Sequence, residues 1–139
     1  MSNYIDPERD QFEAFKELPR DRPIMMLNLV RFRDKAAYEE DREATGAEAY
    51  AAYGRESGPI FRRVGGEIIW RGKPELMVIG PADKRWDVIF VARYPTAGAF
   101  LEMVTDPDYR LAVKHRQAAV LDSRLIRTAE VDGGEGFAD

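Results

Sequence analysis

Two rhythms of apolar residues divide this chain into strands and helices. The densest apolar stretch is Ile24-Met25-Met26-Leu27-Asn28-Leu29-Val30-Arg31-Phe32, broken only by Asn28 and Arg31. A strand wet on one face would alternate polar and apolar positions, so a nearly continuous run predicts an interior strand covered on both sides. Upstream, Phe12, Phe15 and Leu18 make one sticky side of a short amphipathic helix over 10–18. Pro19 stops it, and the helix is expected to pack over a flank of the fold. The run 33–45 is strongly charged, with Tyr38 its only large apolar body. It reads as a connector with a helical turn, because a structureless loop of that length is unusual inside a domain.

A second helix is predicted from 47 into 61, with Tyr50, Tyr53 and Ser57 on one side and Ile60, Phe61 and Val64 continuing its apolar contribution. Gly58-Pro59 would bend or locally open it, and Gly65-Gly66 would release it. Strands follow over 67–71 and 75–79, with Gly72-Lys73-Pro74 as the hairpin turn between them. After a polar turn over 80–85, the run 86–94 alternates Val88, Phe90, Ala92 and Tyr94 with Asp87, Ile89, Val91 and Arg93. Thr96 is placed to cap a short helix through 104, and Thr105 or Asp106 to cap another through about 120, with Pro107 where a missing donor costs little. A wetter final strand covers 122–128. The stretch 131–139, with three glycines and three acidic residues, reads as a loose tail.

After the leading helix the order is βαββαβ, an α+β ferredoxin-like sandwich with a four-stranded, mainly antiparallel sheet and helices on one face. The expected division is an N-terminal helical extension (1–22), the ferredoxin-like domain (23–129) and a flexible tail (130–139). Because the strands are apolar on both sides, the second sheet face needs a cover, and a homodimer supplies one. No glycine-rich dinucleotide fingerprint follows the first strand, which argues against an extended Rossmann sheet.

Composition narrows the chemistry. The chain has 139 residues, 45% hydrophobic and 33% charged, as in an ordinary globular domain. No apolar run approaches bilayer length and no signal-peptide order is present, so no membrane association and a cytoplasmic location are expected. The absence of cysteine removes disulfides, thiolate catalysis and zinc knuckles, and a single histidine, His115, removes a histidine-rich metal site within one chain. No metal or cofactor is expected. A formal charge of -4 gives no broad electropositive footprint for nucleic acid.

The ordered set MLNLVRF (26–32), AYAAY (49–53), GGEIIWRG (65–72), WDVIFVARYPTAGAF (86–100) and DPDYRLAVKHRQAAVLDSRLI (106–126) resembles the domain-of-unknown-function family numbered 1330, within the ferredoxin-like dimeric α/β-barrel superfamily. The resemblance spans most of 23–128. It implies a homodimeric α/β barrel, with paired sheets across a dimer interface and a cavity between each sheet and its helices. It carries no single activity, since the superfamily includes monooxygenases, isomerases, decolorising enzymes and proteins without assigned chemistry.

Among candidate site residues, His115 is flanked by Leu111, Ala112, Ala118 and Ala119 at three- and four-residue spacings, which predicts a ring turned toward the sheet with cavity volume beside it. A neutral imidazole there can relay a proton if another group orients it; a satisfied structural histidine is the competing role. Asn28 can orient a ligand or close a hydrogen bond within the strand layer. Arg31 falls on the other face by alternation. Tyr50, Tyr53 and Trp70 offer aromatic bodies with polar tips, for a pocket or for packing. Tyr53 ranks above Tyr50 through its place in AYAAY. Asp122 can orient a protonated His115 or accept from a ligand, and Arg124, on the same strand face, can neutralise a carboxylate, unless the two form a local pair. Glu39, Glu40 and Glu43 read as a solvated surface. The expectation is a small organic ligand, aromatic or carrying a carboxylate, held around Asn28, Tyr53, Trp70 and His115. In the catalytic reading His115 moves a proton while Asn28 or Tyr53 fixes the reacting oxygen, as in cofactor-independent oxygenation or isomerisation. The alternative is a non-catalytic ligand-binding or structural homodimer.

Overall fold

Over residues 3–137, which the computed structural model describes, the chain forms α1 (Arg9–Glu17), β1 (Ile24–Phe32), α2 (Gly46–Arg63), β2 (Glu67–Gly72), β3 (Val88–Tyr94), α3 (Ala97–Thr105), α4 (Pro107–Ala119) and β4 (Val120–Thr128). Positions 1–2 and 138–139, the outer ends of the expected extension and tail, lie outside the described residues. Helix starts follow from local chemistry. At α2 the Thr45 hydroxyl accepts from the Glu48 amide at 3.0 Å while the Glu48 carboxylate accepts from the Thr45 amide at 2.8 Å, so two orphan donors are satisfied reciprocally. Thr96 caps α3, and Asp106 caps α4 with Pro107 in its first turn. Helix α2 runs through Pro59 without a break and ends at Arg63, and two residues on Gly65 turns the chain with a φ of 90°, which favours glycine.

The sheet order is β2-β3-β1-β4, every neighbouring pair antiparallel. This is the ferredoxin-like topology, with the apolar run of β1 at the centre. The α/β barrel implied by the resemblance does not form, because the sheet does not close. β2 and β4 stand at opposite edges and do not pair with each other, so the sheet is open; four strands with their helices on one face leave two edges apart.

Three local expectations also change. Residues 75–79 form no strand: the expected hairpin on β2 does not form, and β2 pairs with β3 alone at the edge of the sheet. Leu76, Val78 and Ile79 are consequently 81%, 81% and 91% exposed. The connector 33–45 holds no helical turn; it is an excursion closed by the Lys35–Thr45 bridge and tied to α4 by the Arg33 and Ala37 amides on the Ala119 and Ala118 carbonyls. The third strand starts at Val88, two residues later than its pattern, because the Asp87 amide donates to the Val30 carbonyl and its carboxylate accepts from the Phe32 amide.

Strand register sorts the side chains into two layers. Ile24, Met26, Ala92 and Tyr94 pack under Ile60, Phe100, Met103 and Tyr109, while Val30 and Val120 join Ala36, Ala49, Ala118 and Ala119 in a second cluster. On the opposite face the pairings Leu27–Val91, Leu29–Ile89, Leu27–Ile126 and Trp70–Val91 line up an apolar surface that the helices do not reach. Arg31 and Asp122 pair directly across from each other on that same face.

Candidate functional site

One polar group is built by three separate elements. α4 carries His115, α2 carries Glu56, and the connector brings Tyr38 over both. The His115 side chain is only 12% exposed, held in the row Ala112–His115–Ala119 whose alanines let α2 and α4 approach closely. Its Nδ1 lies 2.6 Å from the Tyr38 hydroxyl and its Nε2 lies 2.7 Å from a Glu56 carboxylate oxygen. The Tyr38 ring meets the imidazole edge-on at 5.6 Å, and the Arg42 guanidinium sits 4.5 Å from the Tyr38 ring centroid. With the imidazole neutral, Glu56 accepts the Nε2 proton, which leaves Nδ1 to accept from the phenol. That is a carboxylate–imidazole–hydroxyl chain, in which a proton leaving Tyr38 is taken up by a base held by a negative charge.

His115 therefore directs both nitrogens to Glu56 and Tyr38, not to the sheet-side residues grouped with it by sequence. Asn28 donates its side-chain amide to the Met26 carbonyl of its own strand at 3.0 Å. Tyr50 lies between Phe32 and Tyr53 with its ring tilted to both, and the Tyr53 hydroxyl shares a 2.8 Å hydrogen bond with that of Tyr109. Burial pushes the phenols of Tyr50, Tyr53, Tyr94 and Tyr109 well above their ordinary value, so all four stay neutral. These rings occupy the layer between sheet and helices where cavity volume was expected. Trp70 is 54% exposed on the far face of the sheet, separated from His115 by the sheet itself.

Asp122 forms a second centre. It is 3% exposed, and its carboxylate accepts from the Tyr4 amide at 2.9 Å, the Ser123 amide at 3.0 Å, Arg124 at 2.7 Å and Lys84 at 3.1 Å. Burial pushes the Asp122 carboxyl up, but the Tyr4 amide, Arg124 and Lys84 outweigh it and hold the group below its ordinary value. Arg124 lies between the rings of Tyr4 and Trp86, at 5.0 and 5.4 Å. Asp122 and Arg124 thus share a strand face as expected, and they pair with each other; Asp122 does not orient His115.

Tyr38 and Glu56 are the partners that sequence reasoning missed. Tyr38 had a signal, as the lone aromatic of a charged run; Glu56 had none, being one exposed carboxylate among many. Open grooves of about 360 Å³, lined by Asp34, Lys35, Glu43 and Glu48 among others, and about 260 Å³, beside Leu18, Arg22 and Arg127, include none of the expected site residues. Among the described residues no three His, Asp or Glu side chains cluster so as to hold a metal ion, and no helix is long and apolar enough to cross a membrane.

Comparison with known proteins places the chain in a family. The domain of unknown function DUF1330 matches residues 40–129. The crystal structure of the RPA0582 protein of unknown function from Rhodopseudomonas palustris is 57% identical, with 94% of this chain and 99% of that chain covered at a TM-score of 0.91. A methylated RPA0582 protein superposes over 97% of this chain and 100% of that chain, with 57% identity and a TM-score of 0.94. A dimeric protein of unknown function and ferredoxin-like fold from Bacteroides fragilis shares only 12% identity, over 78% of this chain and 96% of that chain with a TM-score of 0.50, which speaks for the fold alone. No curated protein matches.

Proposed function

The chain belongs to the DUF1330 family, a premise that supplies a fold and no reaction, and on it we propose that the protein is a homodimer that binds a small organic molecule and shifts a proton on it through His115. The observation that carries this reading is the unbroken chain Glu56–His115–Tyr38, with heavy-atom separations of 2.7 and 2.6 Å. Tyr38 is half-buried and carries the terminal oxygen of that chain, and it is this oxygen that the reading assigns to the ligand. A proton moves from an acidic C–H of the ligand to Tyr38, while the phenolic proton passes to His115 Nδ1 and the imidazolium is stabilised by Glu56. Return of a proton to the same carbon gives exchange, and its return to the far carbon of a conjugated enolate gives an isomerisation; both balance without oxidant or cofactor. In this role Tyr38 and Glu56 take the places first given to Asn28 and Tyr53. Homodimerisation is supported by the apolar sheet face that the helices leave uncovered.

The test is deuterium uptake from D₂O into a panel of enolisable keto acids, followed by proton NMR. Exchange at one C–H is expected with the unmodified protein and falls by about 10²–10⁴-fold in both His115→Ala and Tyr38→Phe. Unchanged exchange in either variant rejects the proton chain. A second reading rests on the fact that both ring nitrogens are already bonded, so that the trio is a clasp fixing 33–45 to the helix pair. In that case His115→Ala lowers unfolding stability by about 1–3 kcal/mol and no compound shows exchange.

A further inference from the structure

The segment 73–87, between β2 and β3, contains the one short apolar run of the described chain that ends with nothing to pack on. Glu75-Leu76-Met77-Val78-Ile79 has the composition of a strand, yet Leu76, Val78 and Ile79 are 81%, 81% and 91% exposed. The segment is held at both ends, which separates it from a loose loop. Its start is fixed where Gly72 pairs with Ile89 at the end of the β2–β3 ladder. Its end is fixed by Arg31 donating to the Asp83 carbonyl at 3.2 Å, Lys84 to Asp122 at 3.1 Å, and the Asp87 amide to the Val30 carbonyl at 2.7 Å. Arg31 and Asp122 belong to the uncovered face of the sheet, so the segment is rooted on the rim of that face. It does not fold back over the face, as the exposure of its three aliphatic residues requires.

We propose that 75–79 is an arm that lies across the uncovered sheet face of a second copy of this chain, over Leu27, Leu29 and Val91. This rests on the homodimer reading above and names the element that makes the contact. Each copy carries both an apolar arm and an apolar acceptor face, so a two-fold operation satisfies both at once and closes the assembly at two. Arm and face both present open apolar residues, Leu76, Val78 and Ile79 on the one and Trp70 and Ile126, at 54% and 49% exposure, on the other. Charge fits as well. Glu75 at the root of the arm and Arg93 at the edge of the face make no ion pair among the described residues, and between copies they are of opposite sign. A membrane surface fits worse, because the chain carries a formal charge of -4 and would be repelled by anionic lipid.

The absence of cysteine makes the test direct. Differently tagged chains carrying Val78→Cys and Val91→Cys are co-expressed and exposed to a mild oxidant. A covalent dimer containing both tags is expected, since the bond joins arm and face only between copies. In parallel, the triple variant Leu76→Asp, Val78→Asp, Ile79→Asp is expected to weaken self-association by at least about 100-fold in sedimentation equilibrium while its circular dichroism is unchanged. A dimer that persists in the triple variant, or that forms no mixed bond, overturns the arm and leaves sheet-face pairing standing. A monomeric unmodified chain overturns both. The cross-link decides the matter if the triple variant fails to fold, and none of these outcomes bears on the proton chain at His115.

Discussion

The two faces of the sheet are made from the same four strands and similar side chains, and they meet opposite surroundings. On the helix side, Ile24, Met26, Val30, Ala92 and Tyr94 are all between 1% and 5% exposed, and every buried phenol either donates or sits among rings. On the other side Leu27, Leu29, Ile89 and Val91 stay half-buried, and the edge residues Trp70 and Ile126 are open. What differs is only which side the crossover helices α2 and α4 fall on. The comparison teaches that apolarity of a strand reports a need for cover, and that the chain meets the need on one side alone. Polar groups divide the same way. The helix side carries its chemistry at the outer edge of the helix pair, in Glu56–His115–Tyr38, while the uncovered side buries a single carboxylate, Asp122, under Tyr4 and Lys84.

The contrast is broken most forcefully by alkali. Tyr50, Tyr53, Tyr94 and Tyr109 have folded values raised by burial, so their contribution is present below the unfolded value of about 10 and is lost as pH rises, because the unfolded chain releases protons that the folded chain keeps. Four such groups give a loss on the order of 5 kcal/mol per pH unit above about pH 11. Absorbance at 295 nm is expected to show these phenols ionising together with the loss of circular dichroism; ionisation well before unfolding would mean that the helix side is wet. Next in size, Tyr94→Ala empties the centre of that layer and is expected to cost about 3–5 kcal/mol in urea unfolding, and a cost below 1 kcal/mol would show the layer to be loosely packed. Smaller again, Asp122→Asn removes the charge that Arg124 and Lys84 surround and is expected to cost about 2–3 kcal/mol at neutral pH. Because the folded value of Asp122 is depressed, its contribution holds above its ordinary value of 3.8 and is lost as pH falls through the lower folded value. Unfolding curves of the two proteins should therefore converge in acid, and a constant gap down to pH 2 would remove Asp122 as the cause.

Much of the architecture was written in local patterns. The Thr96 and Asp106 caps, the stop at Pro19 and the alternation over most of 86–94 depend on neighbours within a few residues, and these elements formed close to where those patterns placed them. The strand expected at 75–79 failed for the opposite reason. Leu76, Val78 and Ile79 have strand composition, but composition alone does not make a strand: it must also pair, and β2 stays an edge strand paired with β3 alone. At the candidate site, the helical row through His115 was legible, whereas its partners were not: Tyr38 and Glu56 lie 77 and 59 positions away in sequence.

By itself, then, the sequence determined which stretches become helices and strands, that the sheet would be apolar on both sides, and that a single imidazole would be the sharpest chemical group. Only the tertiary structure decided that the sheet stays open, that the tyrosines fill the layer meant for a cavity, and that His115 turns to Glu56 and Tyr38. The physical reason is range. Caps, periodicity and turn chemistry act over a few residues of chain, whereas edge pairing, closure and the partners of a buried ring nitrogen depend on which distant segments arrive at the same place.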